Sequence, residues 1–227
     1  MPNAIERALE ALARGSCCIG EIAIWPSGGG GFVLSHRDDK ERQGLQIFRE
    51  PSAAIEIAKL DDSGNYRPLK TAPNLRHGWR LEVTTLEKLR CALDYFYPGR
   101  LAVFEAWKGD QLKTTALRTT LDRQSGMYRV AAKISDDQLN NVVGDFCRSD
   151  GGCLRTILWK RDASGSVASA ELPPEKFDTS HDQTLWPGSA TRATTATAAP
   201  VIPLLCQEAC NLLVAECRKV VKMEKGL

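Results

Sequence analysis

The chain reads Cys147-Arg148-Ser149-Asp150-Gly151-Gly152-Cys153 in its second half and Cys206-Gln207-Glu208-Ala209-Cys210 near its C-terminal end. These two segments carry four of its eight cysteines. A four-thiolate metal site needs two such pairs, because local structure presets each pair and folding has only to bring the pairs together. The sequence therefore predicts a metal centre held by Cys147, Cys153, Cys206 and Cys210.

The first cysteine pair follows a predicted helix. A capping box begins at Ser135, and Leu139, Val143 and Cys147 then recur at intervals of four residues along one apolar face. Cys147 is therefore expected at the end of the helix, facing the core. The glycines of the turn at residues 150–153 let the backbone fold tightly, which would direct Cys153 toward the same centre.

The second pair is expected on a helix near its N-terminus. Cys206 and Cys210 are four residues apart, which makes them neighbours on one helix face, and the helix dipole favours thiolates there. Cys217 falls on nearly the same stripe but roughly 16 Å from Cys206 along the axis, given a rise of about 1.5 Å per residue. It is interpreted as a core thiol. The remaining cysteines, which share that interpretation, are Cys17, Cys18 and Cys91.

The spacing of the ligands bears on the identity of the metal. Structural zinc sites commonly use C-x-x-C pairs, which this chain lacks, and His36, His77 and His181 show no ligand-like spacing. Wider cysteine spacings favour an iron–sulfur cluster over a single zinc ion. Zinc remains the alternative at this stage.

Composition limits the classes of function. Hydrophobic residues make up 43% and charged residues 26% of the 227 residues, and the net charge is +2. A balance so close to neutral predicts no nucleic-acid partner, and the absence of a long apolar run predicts no membrane association. Residues 1–10 are predicted to form an amphipathic helix and not a signal peptide, so a cytoplasmic location and metal-bound or buried thiols are expected in place of disulfides.

The rest of the pattern predicts an α+β fold in two domains. Predicted strands at residues 18–25 and 32–36 flank a glycine-rich hairpin loop, and a third strand at 79–83 precedes a helix. The sequence Tyr97-Pro98-Gly99 interrupts that helix. We therefore expect a small α+β domain over residues 1–98.

Residues 99–227 are expected to form a mainly helical, cysteine-ligated cluster domain. Within it, residues 159–203 are rich in small, polar and proline residues, which predicts a long, partly mobile loop. The two cysteine pairs flank this loop.

Three segments of the second half resemble the iron–sulfur region attached to certain CbiX-type sirohydrochlorin chelatases. They are Thr119-Thr120-Leu121-Asp122-Arg123-Gln124-Ser125-Gly126-Met127-Tyr128-Arg129, the Cys147 to Arg155 segment, and Leu204-Leu205-Cys206-Gln207-Glu208-Ala209-Cys210-Asn211. The resemblance implies a 4Fe–4S cluster bound by the four paired cysteines, preceded by a small stabilising domain. Such a chelatase also needs an α/β domain with metal-binding histidines, for which the chain shows no paired-histidine motif. No catalytic activity of its own is therefore expected.

Three functions compete. The first is an iron–sulfur protein that serves as an accessory or electron-transfer component in tetrapyrrole (sirohaem or cobalamin) metabolism, with a separate chelatase or redox protein as partner. The second is a zinc-stabilised protein-interaction module without redox activity. The third is a thiol enzyme with Cys147 or Cys153 as nucleophile and His181 as base, which ranks last because His181 lies in the predicted loop.

Overall fold

The computed structural model describes residues 15–125, 129–148, 153–162, 164–169 and 201–224. These residues divide into two compact units, one from the described parts of 1–110 and 191–204, the other from those of 111–190 and 205–227. The predicted boundary after residue 98 lies inside the first unit. The predicted N-terminal helix at residues 1–10 and the middle of the predicted loop, residues 170–200, lie outside the described residues.

A six-stranded mixed sheet forms the centre of the first unit. Its strands are β1 (Cys17–Ile19), β2 (Ile22–Pro26), β3 (Phe32–His36), β4 (Gln46–Phe48), β5 (Trp79–Val83) and β9 (Val201–Ile202), in the spatial order β4-β5-β3-β2-β1-β9. The two outermost pairs, β4–β5 and β1–β9, are parallel, and the inner pairs are antiparallel. The predicted strand at 79–83 and the glycine-rich hairpin between β2 and β3 are present.

The prediction of one continuous strand over residues 18–25 is wrong, because the chain reverses at Gly20 and Glu21 to form the β1–β2 hairpin. Gly20 adopts a left-handed conformation with φ of +56°. A side chain at this position would overlap the hydroxyl of Tyr97. That hydroxyl accepts a hydrogen bond from the Glu21 amide at 3.0 Å, so a buried tyrosine holds the turn.

Helices of the first unit are α1 (Ala53–Ile57), α2 (Leu86–Phe96) and α3 (Arg100–Lys108). The hydroxyl of Thr85 caps α2 by accepting from the Lys88 amide at 3.2 Å. Phe96 packs on Trp79 of the sheet with 5.2 Å between ring centroids. Both side chains are at most 1% exposed, which places the core between α2 and the sheet.

The second unit contains the helices α4 (Leu117–Ser125), α5 (Asp136–Val142) and α6 (Asn211–Met223). Its strands are β6 (Thr156–Ile157) paired with β10 (Leu205–Cys206), and β7 (Trp159–Arg161) paired with β8 (Val167–Ser169). The loop prediction for 159–203 is therefore wrong at both ends, where β7, β8 and β9 form. The chain as a whole is α+β, as predicted. No helix in the described part of the chain combines the length and apolarity that crossing a bilayer requires.

Candidate metal centre

Cys147 lies at the end of an irregular helix. The capping box predicted at Ser135 is present, with Ser135 and Gln138 each accepting from the other's backbone amide. After α5 the helix widens into a π-helical segment, Val143–Arg148, which carries Cys147 in its last turn. Widened turns of this kind often occur at functional sites. Leu139, Val143 and Cys147 all face the core, as the four-residue spacing predicted.

The second pair is held differently from the prediction. Helix α6 begins only at Asn211, so Cys206 does not share a helix with Cys210. Cys206 lies in β10, opposite Ile157 of β6, and its carbonyl accepts from the Leu158 amide at 3.0 Å. Cys206 therefore approaches the site from strand β10, whereas Cys210 approaches it from the position that precedes helix α6.

Cys210 is the N-cap of α6. Its Sγ accepts from the Leu213 amide at 3.4 Å, in the position that a serine or aspartate side chain commonly occupies. A thiol at a helix N-terminus lies at the positive end of the helix dipole, which favours a thiolate. The dipole argument made from the sequence therefore applies to Cys210 and not to Cys206.

All four paired thiols converge in the second unit. Burial raises the pKa of the Cys147 thiol, and the electrostatic influence of Cys206, Cys153 and Cys210 raises it further, whereas Arg155 lowers it. These mutual electrostatic influences place the four thiols and Arg155 in one neighbourhood. Cys147 and Cys206 are buried and Cys153 and Cys210 are partly exposed. Thiolates grouped in this way repel one another, so the group is suited to a positively charged iron–sulfur core that replaces the thiol protons. The donor set thus fits a cluster with four cysteine ligands.

Arg155 is the charged residue at the centre of this group. Its side chain is 5% exposed, and its Nη1 donates to Cys206 Sγ at 3.2 Å and to Glu208 Oε1 at 2.6 Å. Burial alone would lower the pKa of Arg155, but the charges of Cys206, Cys153 and Glu208 outweigh it and raise the pKa. Several arginines lie near the cysteines in the sequence, and no local signal distinguishes Arg155 from the others.

The other four cysteines are not among the predicted ligands. Cys217 is fully buried in the apolar core of the second unit, and burial raises its pKa to about 12. Cys17 is equally buried in β1, with its pKa raised to about 12 by burial and then by Cys18. Cys18 and Cys91 are partly exposed thiols of the first unit. His181 and residues 150–152 of the predicted turn lie outside the described residues.

The histidines show no ligand-like spacing in the sequence, yet two of them lie together in the structure. The rings of His36 and His77 lie with their centroids 3.8 Å apart in the first unit, beside Asp38. The residues are 41 positions apart in sequence, and only the pairing of β3 with β5 brings them together. No local spacing signal exists for such a pair.

Both halves of the chain are similar to known protein families. Residues 3–111 match the family described as the DR2241 stabilising domain, and residues 109–219 match the 4Fe–4S iron–sulfur cluster binding domain family. Together the two matches cover nearly the whole chain. No curated protein matches the chain significantly.

A solved structure is similar to both units. It is the crystal structure of DR2241 from Deinococcus radiodurans, described as a multi-domain protein with structural similarity to chelatases and two additional novel domains. The sequences are 26% identical and the TM-score is 0.70. The alignment covers 97% of this chain but only 41% of the Deinococcus protein.

Proposed function

Since the chain consists of a DR2241 stabilising domain followed by a 4Fe–4S iron–sulfur cluster binding domain, we propose that Cys147, Cys153, Cys206 and Cys210 ligate the cluster. The assignment is supported by the contact of the buried Arg155 with Cys206 and by the grouping of all four cysteines in the second unit, where their charges influence one another. Cys217 is the fifth cysteine of the unit, and it is enclosed by apolar side chains.

The cluster, when bound, supplies one-electron chemistry, and four cysteine ligands leave no open iron position for a substrate. We therefore infer electron transfer as its role. The surrounding residues are suited to it: Arg155 places a buried positive charge beside Cys206, and the Leu213 amide donates to Cys210. Both offset the negative charge of the thiolates, which is how a protein adjusts the potential of such a cluster.

The proposed pathway is tetrapyrrole metabolism. Support comes from the similarity to DR2241, which is itself similar to chelatases, and from the resemblance to the iron–sulfur regions of CbiX-type enzymes. The partner is a chelatase or redox protein of that pathway. The chain's own role is that of an accessory electron carrier.

Ligation is tested on anaerobically purified protein. We expect about four irons and four sulfides per chain, consistent with one 4Fe–4S cluster, and an EPR signal after reduction. Single serine substitutions at positions 147, 153, 206 and 210 should each remove most of the cluster, whereas the matched Cys217→Ser variant should keep it. One zinc per chain without iron or sulfide, even after reconstitution, would select the zinc-stabilised module.

The accessory role is tested separately. Cobalt insertion into sirohydrochlorin by a separate CbiX-type chelatase is measured with the cluster-loaded protein, with the Cys206→Ser variant, and with neither. The proposal expects a rate increase only with the cluster-loaded protein. Because metal insertion releases two protons and consumes no electron, this measurement tests the accessory role and not electron transfer. An unchanged rate with a fully loaded cluster would overturn the tetrapyrrole role and leave cluster binding intact.

A further inference from the structure

His36, Asp38 and His77 form a compact cluster in the first unit, here called the His–Asp–His cluster. One potential ligand atom of each lies within 4.8 Å of the other two. Asp38 Oδ2 is 3.7 Å from His36 Nδ1 and 4.0 Å from His77 Nε2. Zinc–nitrogen and zinc–oxygen bonds of about 2.0 Å place tetrahedral ligand atoms about 3.3 Å apart, so each of these two nitrogens would have to approach Asp38 Oδ2 by well under 1 Å to reach that spacing.

Rigid neighbours hold the cluster in place. His36 ends β3, and Asp38 follows it in a short 3-10 turn, Arg37–Asp39. The buried carboxylate of Asp39 accepts from the Gly78 amide at 2.6 Å, which ties this turn to the segment that carries His77. The Gly78 carbonyl in turn accepts from the Gln46 amide of β4 at 2.9 Å.

The hydrogen bonds define which ring nitrogens are available to a metal. His77 Nδ1 contacts Asp62 Oδ2, and the His77 amide donates to the other oxygen of Asp62 at 2.6 Å. His36 Nδ1 accepts from the Asp38 amide at 3.2 Å, and its Nε2 lies 3.9 Å from Glu21 Oε1. His77 thus presents Nε2 on the side of Asp38, while its Nδ1 contacts Asp62.

His77 Nε2 lies 4.0 Å from Asp38 Oδ2, and His36 Nδ1, which accepts from the Asp38 amide, lies 3.7 Å from the same oxygen. A metal ion bound here would replace the Asp38 amide as the partner of His36 Nδ1. Metal-ligating histidines characteristically direct their second nitrogen to a carboxylate, as His77 does to Asp62. Access exists as well, because the side chains of His77 and Asp38 are 33% and 67% exposed while His36 is buried.

We propose that the His–Asp–His cluster binds a divalent transition-metal ion, for which zinc is the preferred candidate. Two imidazoles and one carboxylate form a ligand set that zinc uses, with a solvent molecule in the fourth position. The ion joins the end of β3 to the segment that precedes β5. This site is independent of the thiol group, which belongs to the other unit.

The test uses anaerobic, cluster-loaded protein dialysed to equilibrium against micromolar zinc. Elemental analysis should find one zinc per chain in addition to the iron and sulfide. X-ray absorption at the zinc edge should show only nitrogen and oxygen ligands at about 2.0 Å, because thiolate ligation would give a zinc–sulfur distance of about 2.3 Å. Sulfur ligation, or no zinc at all with an intact cluster, would overturn the proposal.

Variants identify the ligands. His77→Ala and Asp38→Asn should each weaken zinc binding at least tenfold, and Asp62→Asn, which removes only the support of His77, should weaken it about 10- to 100-fold. The matched controls His181→Ala and Asp110→Asn, a histidine outside the cluster and an exposed carboxylate, should bind zinc like the parent protein. Iron and sulfide contents verify that each variant is folded. Equal zinc binding in the Asp38→Asn, His77→Ala and control proteins would show that these residues are not ligands.

Discussion

Arg155 is the residue whose charge has the most direct effect on the proposed cluster. It is a buried cation beside Cys206, and an electron added to the cluster increases the negative charge that it faces. Arg155→Gln removes this attraction, so we expect the midpoint potential to fall by on the order of 50 mV, where about 59 mV corresponds to 1.4 kcal/mol for one electron. Potentiometric EPR titration measures the change.

The controls for this prediction separate charge from packing. Arg155→Lys retains the charge and should shift the potential less than the glutamine variant. Arg161→Gln removes a charge that pairs with Asp137 at the exposed β7 strand, and should leave the potential unchanged. Equal potentials in the parent and Arg155→Gln proteins, both with full clusters, would show that Arg155 does not tune the centre.

Buried thiols outside the cluster give a second prediction at the residue scale. Cys17 and Cys217 are fully buried with pKa values raised to about 12, so at pH 8 only about one thiol in ten thousand is a thiolate, the form that reacts with alkylating agents. We expect iodoacetamide to leave both unmodified in the folded protein between pH 7 and 9. Peptide mass spectrometry measures the modification of each thiol. The unfolded protein, in which both thiols should react, is the control. Rapid labelling of either thiol in the folded protein would contradict the burial.

At the scale of elements, Cys210 has two separable roles, as a proposed ligand and as the N-cap of α6. Cys210→Ser and Cys210→Ala should both lose the cluster. Serine can still accept from the Leu213 amide, whereas alanine cannot, so the cluster-free alanine variant should be less stable by about 1 kcal/mol. Urea unfolding of the two cluster-free variants measures the difference. Identical midpoints would show that the sulfur makes no contribution as a cap.

The β1–β2 turn gives a matched pair of glycine substitutions. Gly20→Ala places a methyl group against the Tyr97 hydroxyl in a left-handed conformation, and we expect a loss of at least about 2 kcal/mol. Gly28→Ala, in the open β2–β3 hairpin loop, has no atom within 4 Å of the added methyl group and should cost much less. Thermal unfolding compares the two. Equal losses would show that the contact with Tyr97 does not restrict the turn.

Elements with a local signal were predictable from the sequence, and elements that depend on distant partners were not. The start of a helix can be predicted at Ser135 and at Thr85, because each capping side chain accepts a hydrogen bond from an amide only three residues away. The strand at Cys206 has no such signal. It exists because β6 lies beside it, and a two-residue parallel pair cannot be inferred from composition.

The same division applies to the candidate sites. Residue type and spacing single out the four paired cysteines, all of which lie in the second unit, with Cys206 on a strand and not on the predicted helix. Their joint ligation of a cluster stays a prediction. Arg155 is distinguished only by a contact with a residue 51 positions away. The His–Asp–His cluster depends on the pairing of β3 with β5, so local sequence patterns cannot predict it.

At the scale of the whole molecule, the proposed cluster would join residues that lie far apart in the sequence. Its proposed ligands come from the π-helical segment that follows α5, from a residue three positions before β6, from β10 and from the N-cap of α6. Between the two pairs the chain contributes β9 to the sheet of the first unit. Holding the ends of such long segments together restricts the unfolded chain strongly, so the cluster should stabilise the second unit in particular.

Hydrogen exchange on cluster-loaded and cluster-free protein tests this distribution of stability. In the second unit, the Leu158 amide bonds to the Cys206 carbonyl and the Leu213 amide to the Cys210 sulfur, so both should exchange faster once the cluster is removed. Amides of the β2–β3 pairing lie in the other unit, within a sheet that uses no cluster ligand, and should keep their protection. The Cys153→Ser variant provides a second cluster-free sample, which separates loss of the cluster from chemical damage during its removal. Uniform loss of protection in both units would show that the chain unfolds as one cooperative body. Unchanged protection at the Leu158 and Leu213 amides would show that the cluster does not stabilise the segments that carry its ligands.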